Sequence, residues 1–119
     1  MSEHPPKQDL ICLLEQWQAG IIDEQAVHGQ AEAAYAAYRE DEEDQLSAQD
    51  ALIYHVVCVL EVLPTYMVIK EDVPFILNFL NTAPGREDEA MEAWDDYWNL
   101  LNYEARKVLL SNHPYYCNS

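Results

Sequence analysis

The sequence predicts an all-α fold, a compact bundle of five or six amphipathic helices with a central buried helix. The 119 residues include only three glycines, whereas strong helix formers such as Ala, Leu and Glu are common. Half of the residues are apolar, which is enough to fill the core of one domain. We predict a flexible N-terminal tail over residues 1–7, where Pro5 and Pro6 oppose regular structure, and a single helical domain over residues 8–119.

Apolar spacing and capping residues define the first two helices. A stripe at positions i, i+3, i+4 and i+7 predicts a first helix that begins near residue 8 or 9. The stripe comprises Leu10, Leu13, Leu14 and Trp17. Gly20 stands where a left-handed residue commonly ends a helix. Asp23 is the predicted N-cap of the second helix, and Ile22 and Val27 have the spacing of a hydrophobic staple.

The third helix is apolar on nearly every side. Ser47 is its predicted N-cap, with Asp50 three residues later. The apolar residues are Ala51, Leu52, Ile53, Val56, Val57, Val59, Leu60 and Leu63. Because a helix that is apolar all round is a buried one, we predict that this helix is the central element. Its β-branched residues leave a strand as the alternative, but the length of the segment favours a helix that ends at Pro64.

Three further helices are predicted after an extended connector. The fourth starts around Glu71 with Pro74 in its first turn, the fifth runs from about Arg86 to Leu101, and a short sixth follows Asn102 as N-cap. The predicted apolar stripe of the fourth helix comprises Val73, Ile76, Phe79 and Leu80. That of the fifth comprises Ala90, Trp94, Tyr97, Trp98 and Leu101. The sixth helix uses Val108, Leu109 and Leu110.

The charge balance limits the kinds of partner that the protein can bind. The chain has 22 acidic residues and 6 lysines and arginines, for a net charge of -16. Such a surface repels phosphate backbones and anionic headgroups, so we predict binding to neither nucleic acid nor membrane. It attracts basic protein surfaces and speeds the encounter with them. The alternative interpretation is that the acidic charge only keeps a small protein soluble and monomeric.

Cysteine usage and the N-terminal sequence indicate a cytoplasmic protein. The three cysteines, Cys12, Cys58 and Cys117, are widely spaced and contain no Cys-x-x-Cys pair, which argues against a zinc ribbon and a thioredoxin-type site. A reducing compartment fits an odd number of cysteines. The first ten residues lack the apolar region of a signal peptide.

Two groups of residues have the types and spacing that metal binding or nucleophilic catalysis needs. Glu24, His28 and Glu32 recur every four residues on one helical face, which makes a metal site an alternative. A bundle site needs ligands from a second helix, however, and no Glu-x-x-His spacing occurs. His55 and Cys58 share a helical surface, but the helix is the most apolar one and offers no third orienting group. We therefore predict no catalytic residue, no resident metal and no other cofactor.

Asp95 and Asp96 lie beside aromatic residues, as carboxylates do in sugar-cleaving sites. Adjacent helical residues point about 100° apart, so the two carboxylates do not face one substrate atom. The aromatic residues around them, Trp94, Tyr97 and Trp98, have the spacing of a core stripe. We therefore predict that the two acids belong to the boundary and the outer face of the helix.

The function predicted from these observations is a non-catalytic binding protein whose acidic surface docks a basic partner protein. Small acidic bacterial immunity proteins, antitoxin-like inhibitors and secretion chaperones share this profile of size, charge and missing catalytic motifs. The predicted partner-binding residues are Glu40, Asp41, Glu42, Glu43, Asp44, Glu87, Asp88 and Glu89. A nucleic-acid mimic is a variant of this prediction. The alternatives are a metal-binding protein or metal-dependent enzyme that uses His28, and a structural homo-oligomer that pairs through surplus apolar surface.

Overall fold

Helices account for the regular structure of the described chain. The computed structural model describes residues 7–38, 46–63 and 67–111, and within these ranges it contains six α-helices and no strand. The helices are α1 (Lys7–Gln18), α2 (Glu24–Ala36), α3 (Ala48–Glu61), α4 (Val73–Leu80), α5 (Glu87–Leu100) and α6 (Tyr103–Leu109), with a 3-10 turn at Lys70–Asp72. The all-α class is confirmed. Together the helices form a compact globule.

The predicted capping residues begin their helices as expected. The side chains of Asp23, Ser47 and Asn102 each accept a hydrogen bond from the backbone N–H three residues later, at 2.9, 3.1 and 3.0 Å. Each bond satisfies an N–H group that has no partner inside the helix. Gly20 follows α1 with a φ of +81°, the left-handed conformation that glycine adopts without steric cost.

The core is built from apolar stripes of the first five helices. Its members in α1 to α5 are Leu10, Leu13, Leu14, Trp17, Val27, Ala31, Leu52, Ile53, Val56, Val57, Val59, Leu60, Val73, Ile76, Phe79, Leu80, Trp94 and Trp98. The predicted stripes of α1 and α4 are buried in full. Burying one such side chain contributes roughly 1.5–3 kcal/mol, so these contacts are the main stabilising term of the fold.

Helix α3 contributes more buried residues than any other described helix. Six of its fourteen residues are buried, and it contacts α2, α4 and α5. Tyr54, His55 and Cys58, on its remaining surface, are partly exposed. Its N-cap and its last helical residue, Glu61, agree with the predicted helix, while Pro64 lies outside the described residues. The prediction that α3 is the central helix stays a prediction.

The predicted buried face of α6 is wrong. Val108 and Leu109 are 75% and 68% exposed, and only Leu110, just after the helix, is buried. The inward side of this short helix is instead the one that carries Tyr103, Arg106 and Leu110, at positions i, i+3 and i+7. Arg106 turns inward because it pairs with a buried acid, and this rotation points the two apolar residues into solvent.

Within the described part of the chain, no helix has both the length and the hydrophobicity that a membrane crossing requires.

Candidate acidic interface

Helix α5 has a buried aromatic face and an acidic outer face. Trp94 and Trp98 are buried, whereas Asp88, Glu92, Asp95 and Asp96 are exposed. At 3.6 residues per turn these four acids fall within about 100° of the helix circumference, outside the sector of the two tryptophans. We call these four residues the acidic stripe. It extends for about 12 Å along the helix axis, since each residue adds about 1.5 Å.

Aromatic packing sets the rotation of α5 and therefore the direction of the stripe. The ring centroids of Phe79 and Trp94 are 4.1 Å apart, and those of Phe75 and Tyr97 are 3.8 Å apart with nearly parallel planes. Trp98 also meets Phe75 edge-on, with centroids 6.4 Å apart. Aromatic pairs stabilise by about 0.5–1.5 kcal/mol beyond the area that they bury. The helix is thus held against α4 with its acids directed outward, as predicted for Asp95 and Asp96.

The acidic stripe is not neutralised by the described residues. None of its four carboxylates makes an ion pair or a hydrogen bond with another described side chain. Asp88 and Glu92, and likewise Glu92 and Asp96, are like charges at i, i+4, an arrangement that destabilises a helix. The last turn of α5 has no basic residue to offset them. The stripe therefore combines exposure, like-charge repulsion and free acceptor oxygens.

The structure gives different surroundings to the three predicted acids at the start of α5. Glu87 is half-buried, and its carboxylate accepts hydrogen bonds from the Gln49 side chain at 2.6 Å and the Gly85 N–H at 2.9 Å. The bond from Gln49, followed by backbone hydrogen bonds, lowers the pKa of Glu87 below its ordinary value. Glu89 pairs with Arg86 at 2.7 Å on the surface, whereas Asp88 belongs to the stripe. Glu92 was not among the predicted partner-binding residues, although its i+4 spacing from Asp88 was a signal in the sequence.

The other predicted cluster, Glu40, Asp41, Glu42, Glu43 and Asp44, lies outside the described residues. Its role in binding stays a prediction.

An open groove of about 400 Å³ borders the start of α5, with Asn78, Asn81, Arg86 and Glu89 among its lining residues. The polar groups of this groove are largely engaged. The Asn81 amide donates to a backbone carbonyl at 3.0 Å, and Arg86 pairs with Glu89. The groove thus lies beside the acidic stripe without converging polar groups of its own.

A buried ion pair lies on the other side of α5. Asp72 is fully buried, and Arg106 donates to its two carboxylate oxygens at 2.6 and 2.7 Å. The Tyr97 hydroxyl and the Ile69 N–H donate to the same carboxylate at 2.5 and 3.0 Å. Arg106 also donates to the Met67 carbonyl at 3.0 Å. Because the carboxylate and the guanidinium are both well supplied with partners, the arrangement is structural and leaves no obvious place for a ligand.

Burial and the Asp72 charge shift the pKa values of the groups around this ion pair. Burial, then the hydrogen bond to Asp72 and its negative charge, raise the pKa of Tyr97 to about 12. For Arg106, burial acts to lower the pKa, but the hydrogen bonds and charge of Asp72 outweigh it and raise the pKa. Arg106 therefore stays charged, and Tyr97 stays a hydrogen-bond donor. The sequence did not single out this pair because its two members are 34 residues apart.

Glu24, His28 and Glu32, the residues considered above as metal ligands, do not converge on one point. Glu24 and His28 instead make contacts that connect helices. The His28 Nε2 atom lies 2.8 Å from the Glu61 carbonyl oxygen of α3, and the Trp17 indole donates to Glu24 at 2.8 Å. Glu32 is 3.9 Å from His28. In the ranges that the structure describes, no group of three or more His, Cys, Asp or Glu side chains is placed to hold a metal ion. The observed contacts of these residues tie α2 to α1 and α3.

Comparison with protein-family models, with curated proteins and with solved structures found no match to this chain.

Proposed function

We propose that this protein is a non-catalytic binding protein that docks a basic partner protein through an acidic surface, of which the acidic stripe of α5 is part. One observation carries the proposal: Asp88, Glu92, Asp95 and Asp96 share one exposed face of a helix and form no ion pair with a described residue. The protein would block or hold its partner by contact alone, in the manner of immunity proteins, inhibitors and chaperones.

The placement of the basic residues supports this proposal. Of the 6 lysines and arginines, Arg106 is turned inward against Asp72 and Arg86 is paired with Glu89. These contacts pair two of the cations with acids outside the stripe, so neither cation offsets the net charge of -16 by direct pairing with the stripe. Opposite charges on a partner would steer the encounter and raise association rates toward about 10⁸–10⁹ M⁻¹s⁻¹ at low salt.

The rigidity of α5 adds a second supporting argument. A stripe on a helix that is packed through Trp94 and Trp98 presents its carboxylates at set intervals. Lysines or arginines repeated every three to four residues on a partner helix would match that spacing. Binding to them would also relieve the repulsion within the stripe. The predicted cluster of Glu40 to Asp44 would extend the same surface if the two regions meet. A reducing cytoplasm remains the proposed location of this activity.

The experiment compares two variants that lose the same number of charges. The stripe variant is D88N/E92Q/D95N/D96N, and its control, D9N/E15Q/E32Q/E71Q, neutralises four exposed acids elsewhere. Each protein is used to capture partners from native cell lysate at low and high salt, and captured proteins are identified by mass spectrometry. We expect the wild type and the control to retain one dominant basic protein at low salt, and the stripe variant to lose it.

The captured protein is then purified, and its dissociation constant for all three forms is measured at several salt concentrations. We expect the stripe variant to bind at least about tenfold more weakly, since two or more charged contacts are lost. Equal weakening in both variants would show that total charge alone, and not the stripe, attracts the partner. Capture of nothing by the wild type at either salt concentration would contradict the proposed function.

A further inference from the structure

The open groove beside the start of α5 adjoins a smaller hollow between α4 and α5. The hollow holds about 50 Å³ and is lined by Phe75, Asn78, Phe79, Thr82, Ala90 and Ala93. Asn78, Thr82 and Ala90 also line the larger groove of about 400 Å³, so the two spaces border each other. We call them together the α4–α5 groove.

The small hollow is largely apolar, and two alanines keep it open. Phe75 and Phe79 line it from α4 with aromatic rings, and Ala90 and Ala93 line it from α5 with methyl groups. The two alanines are three residues apart and are therefore neighbours on one face of the helix. A larger side chain at either position would occupy the space that the methyl groups leave. The Thr82 hydroxyl is already bonded to the Phe79 carbonyl, at 2.6 Å.

The α4–α5 groove suits an apolar side chain better than a small polar ligand. A site for a polar molecule needs several placed polar groups that fix its orientation. Here the Asn81 amide donates to a backbone carbonyl, Arg86 pairs with Glu89, and the Thr82 hydroxyl is bonded. A Leu, Ile or Met side chain needs no such partners, and the hollow has room for the end of one.

The α4–α5 groove and the acidic stripe meet along α5. Ala93 stands four residues after Glu89 and three before Asp96, and residues at these spacings lie about 5–6 Å apart between their Cβ atoms. Asp96 belongs to the stripe, so a carboxylate of the stripe borders the groove directly. A segment seated in the groove can therefore place its own cations on the stripe. An apolar centre with a polar, charged rim is the usual organisation of a protein–protein interface.

We propose that the α4–α5 groove receives an apolar side chain of the basic partner, and that the docking segment of this partner is an amphipathic helix. This inference rests on the proposed function, because the stripe supplies the charges that select the partner. Lysines or arginines at i and i+4 of the partner helix lie on the stripe, and a Leu, Ile or Met on its adjoining face enters the groove. A second copy of this chain is disfavoured as the occupant, since each copy carries a net charge of -16.

Two synthetic helical peptides of equal charge test the groove separately from the stripe. One repeats Lys-Leu-Ala-Ala and the other Lys-Ala-Ala-Ala, each over about 20 residues so that a helix can form. Their dissociation constants are measured by fluorescence anisotropy at low salt. Ala93→Leu fills the groove without a change of charge, and Ala33→Leu, at an exposed position of α2, adds the same side chain as a matched control.

We expect the leucine peptide to bind the wild type at least about tenfold more tightly than the alanine peptide, because one more apolar side chain is buried. A93L should reduce this ratio to below about threefold, whereas A33L should preserve it. An unchanged ratio in A93L, or equal binding of the two peptides to the wild type, would overturn the inference.

The stripe variant judges the proposed function independently of the groove. Weaker binding of both peptides to D88N/E92Q/D95N/D96N than to its charge-matched control supports the proposed function, whatever the result for A93L. Equal binding of the alanine peptide to these two variants would contradict the proposed function and, with it, this inference.

A second variant and a second measurement complete the test. Asn78→Leu narrows the groove from α4, where Asn78 is exposed, and should lower the same ratio if A93L does not fold. Sedimentation velocity over a range of concentrations tests the occupant. Reversible dimers of the wild type that A93L abolishes would place a second copy in the groove and overturn its assignment to a basic partner.

Discussion

Among the described residues, Asp72 is the one whose charge is most completely enclosed. Its carboxylate is fully buried and receives hydrogen bonds from Arg106, Tyr97 and the Ile69 backbone. An isolated buried carboxylate would cost several kcal/mol, so these donors are required for the observed conformation. Tyr97 has two roles here, since its ring stacks on Phe75 while its hydroxyl binds the acid.

The raised pKa of Tyr97 predicts a loss of stability in alkali. The folded-state pKa is about 12, above the value of about 10 for an unfolded chain. The neutral form is thus favoured by folding, and its contribution is fully present below about pH 10 and lost as the pH rises toward 12. We expect the free energy of unfolding to fall over this range, and to fall less in Tyr97→Phe. Denaturant unfolding at pH 9 to 12 measures the free energy of unfolding of both proteins, and absorbance at 295 nm follows tyrosine ionisation. An equal fall in the free energy of unfolding with pH in the wild type and Tyr97→Phe would contradict the raised pKa of Tyr97.

Some residue-level features were predictable and others were not. Asp23, Ser47 and Asn102 were identified as caps because a cap and its N–H partner are only three residues apart. The sequence did not identify Asp72 as a buried acid, because its ion-pair partner is 34 residues away. For the same reason the sequence predicted Glu87 as a partner-binding acid, although its carboxylate accepts a hydrogen bond from Gln49, 38 residues earlier.

Helices α5 and α6 show how differently two amphipathic segments are used. Helix α5 packs its aromatic residues inward, as its sequence pattern predicts, and leaves its acids in solvent. Helix α6 turns a charged residue inward and leaves Val108 and Leu109 outside. In α5 the apolar contacts are numerous enough to determine the rotation of the helix. In α6, which has seven residues, one ion pair is enough to reverse it.

Charge changes on α5 are expected to alter stability in opposite directions. Glu92→Gln removes the like-charge pairs with Asp88 and Asp96, so we expect the free energy of unfolding to rise by about 0.5 kcal/mol at low salt. Glu89→Gln removes the exposed pair with Arg86 instead, and should lower the free energy of unfolding slightly at low salt. Both are measured by urea unfolding at low and high salt. A loss of stability in Glu92→Gln would mean that the stripe is neutralised by another part of the protein.

The whole molecule is strongly acidic, and its charge acts against its own compact state. A net charge of -16 on 119 residues produces self-repulsion that salt relieves. The internal pairing of Arg106 leaves fewer cations at the surface to reduce that repulsion. A solubility role for the charge needs no particular arrangement of acids, whereas the proposed binding role needs the stripe, and this difference separates the two interpretations.

Salt is therefore expected to stabilise the protein. Between about 0.01 and 0.15 M NaCl the Debye length falls from about 30 to about 8 Å, which screens repulsion between acids on different helices. We expect Tm to rise by about 4 °C or more, and to rise less in the stripe variant D88N/E92Q/D95N/D96N. Thermal unfolding followed by circular dichroism measures both. A Tm that falls with salt would show that attractive surface pairs outweigh repulsion.

The sequence by itself determined the helical class, the starts of α2, α3 and α6, the apolar stripes of α1 and α4 and the net charge. Each of these depends on composition or on residues within about two helical turns of one another. Tertiary structure decided which face of α6 turns inward, which acid enters the core and which acids remain free on α5. These outcomes depend on the pairings Asp72–Arg106 and Gln49–Glu87, which the folded chain brings together across more than thirty residues.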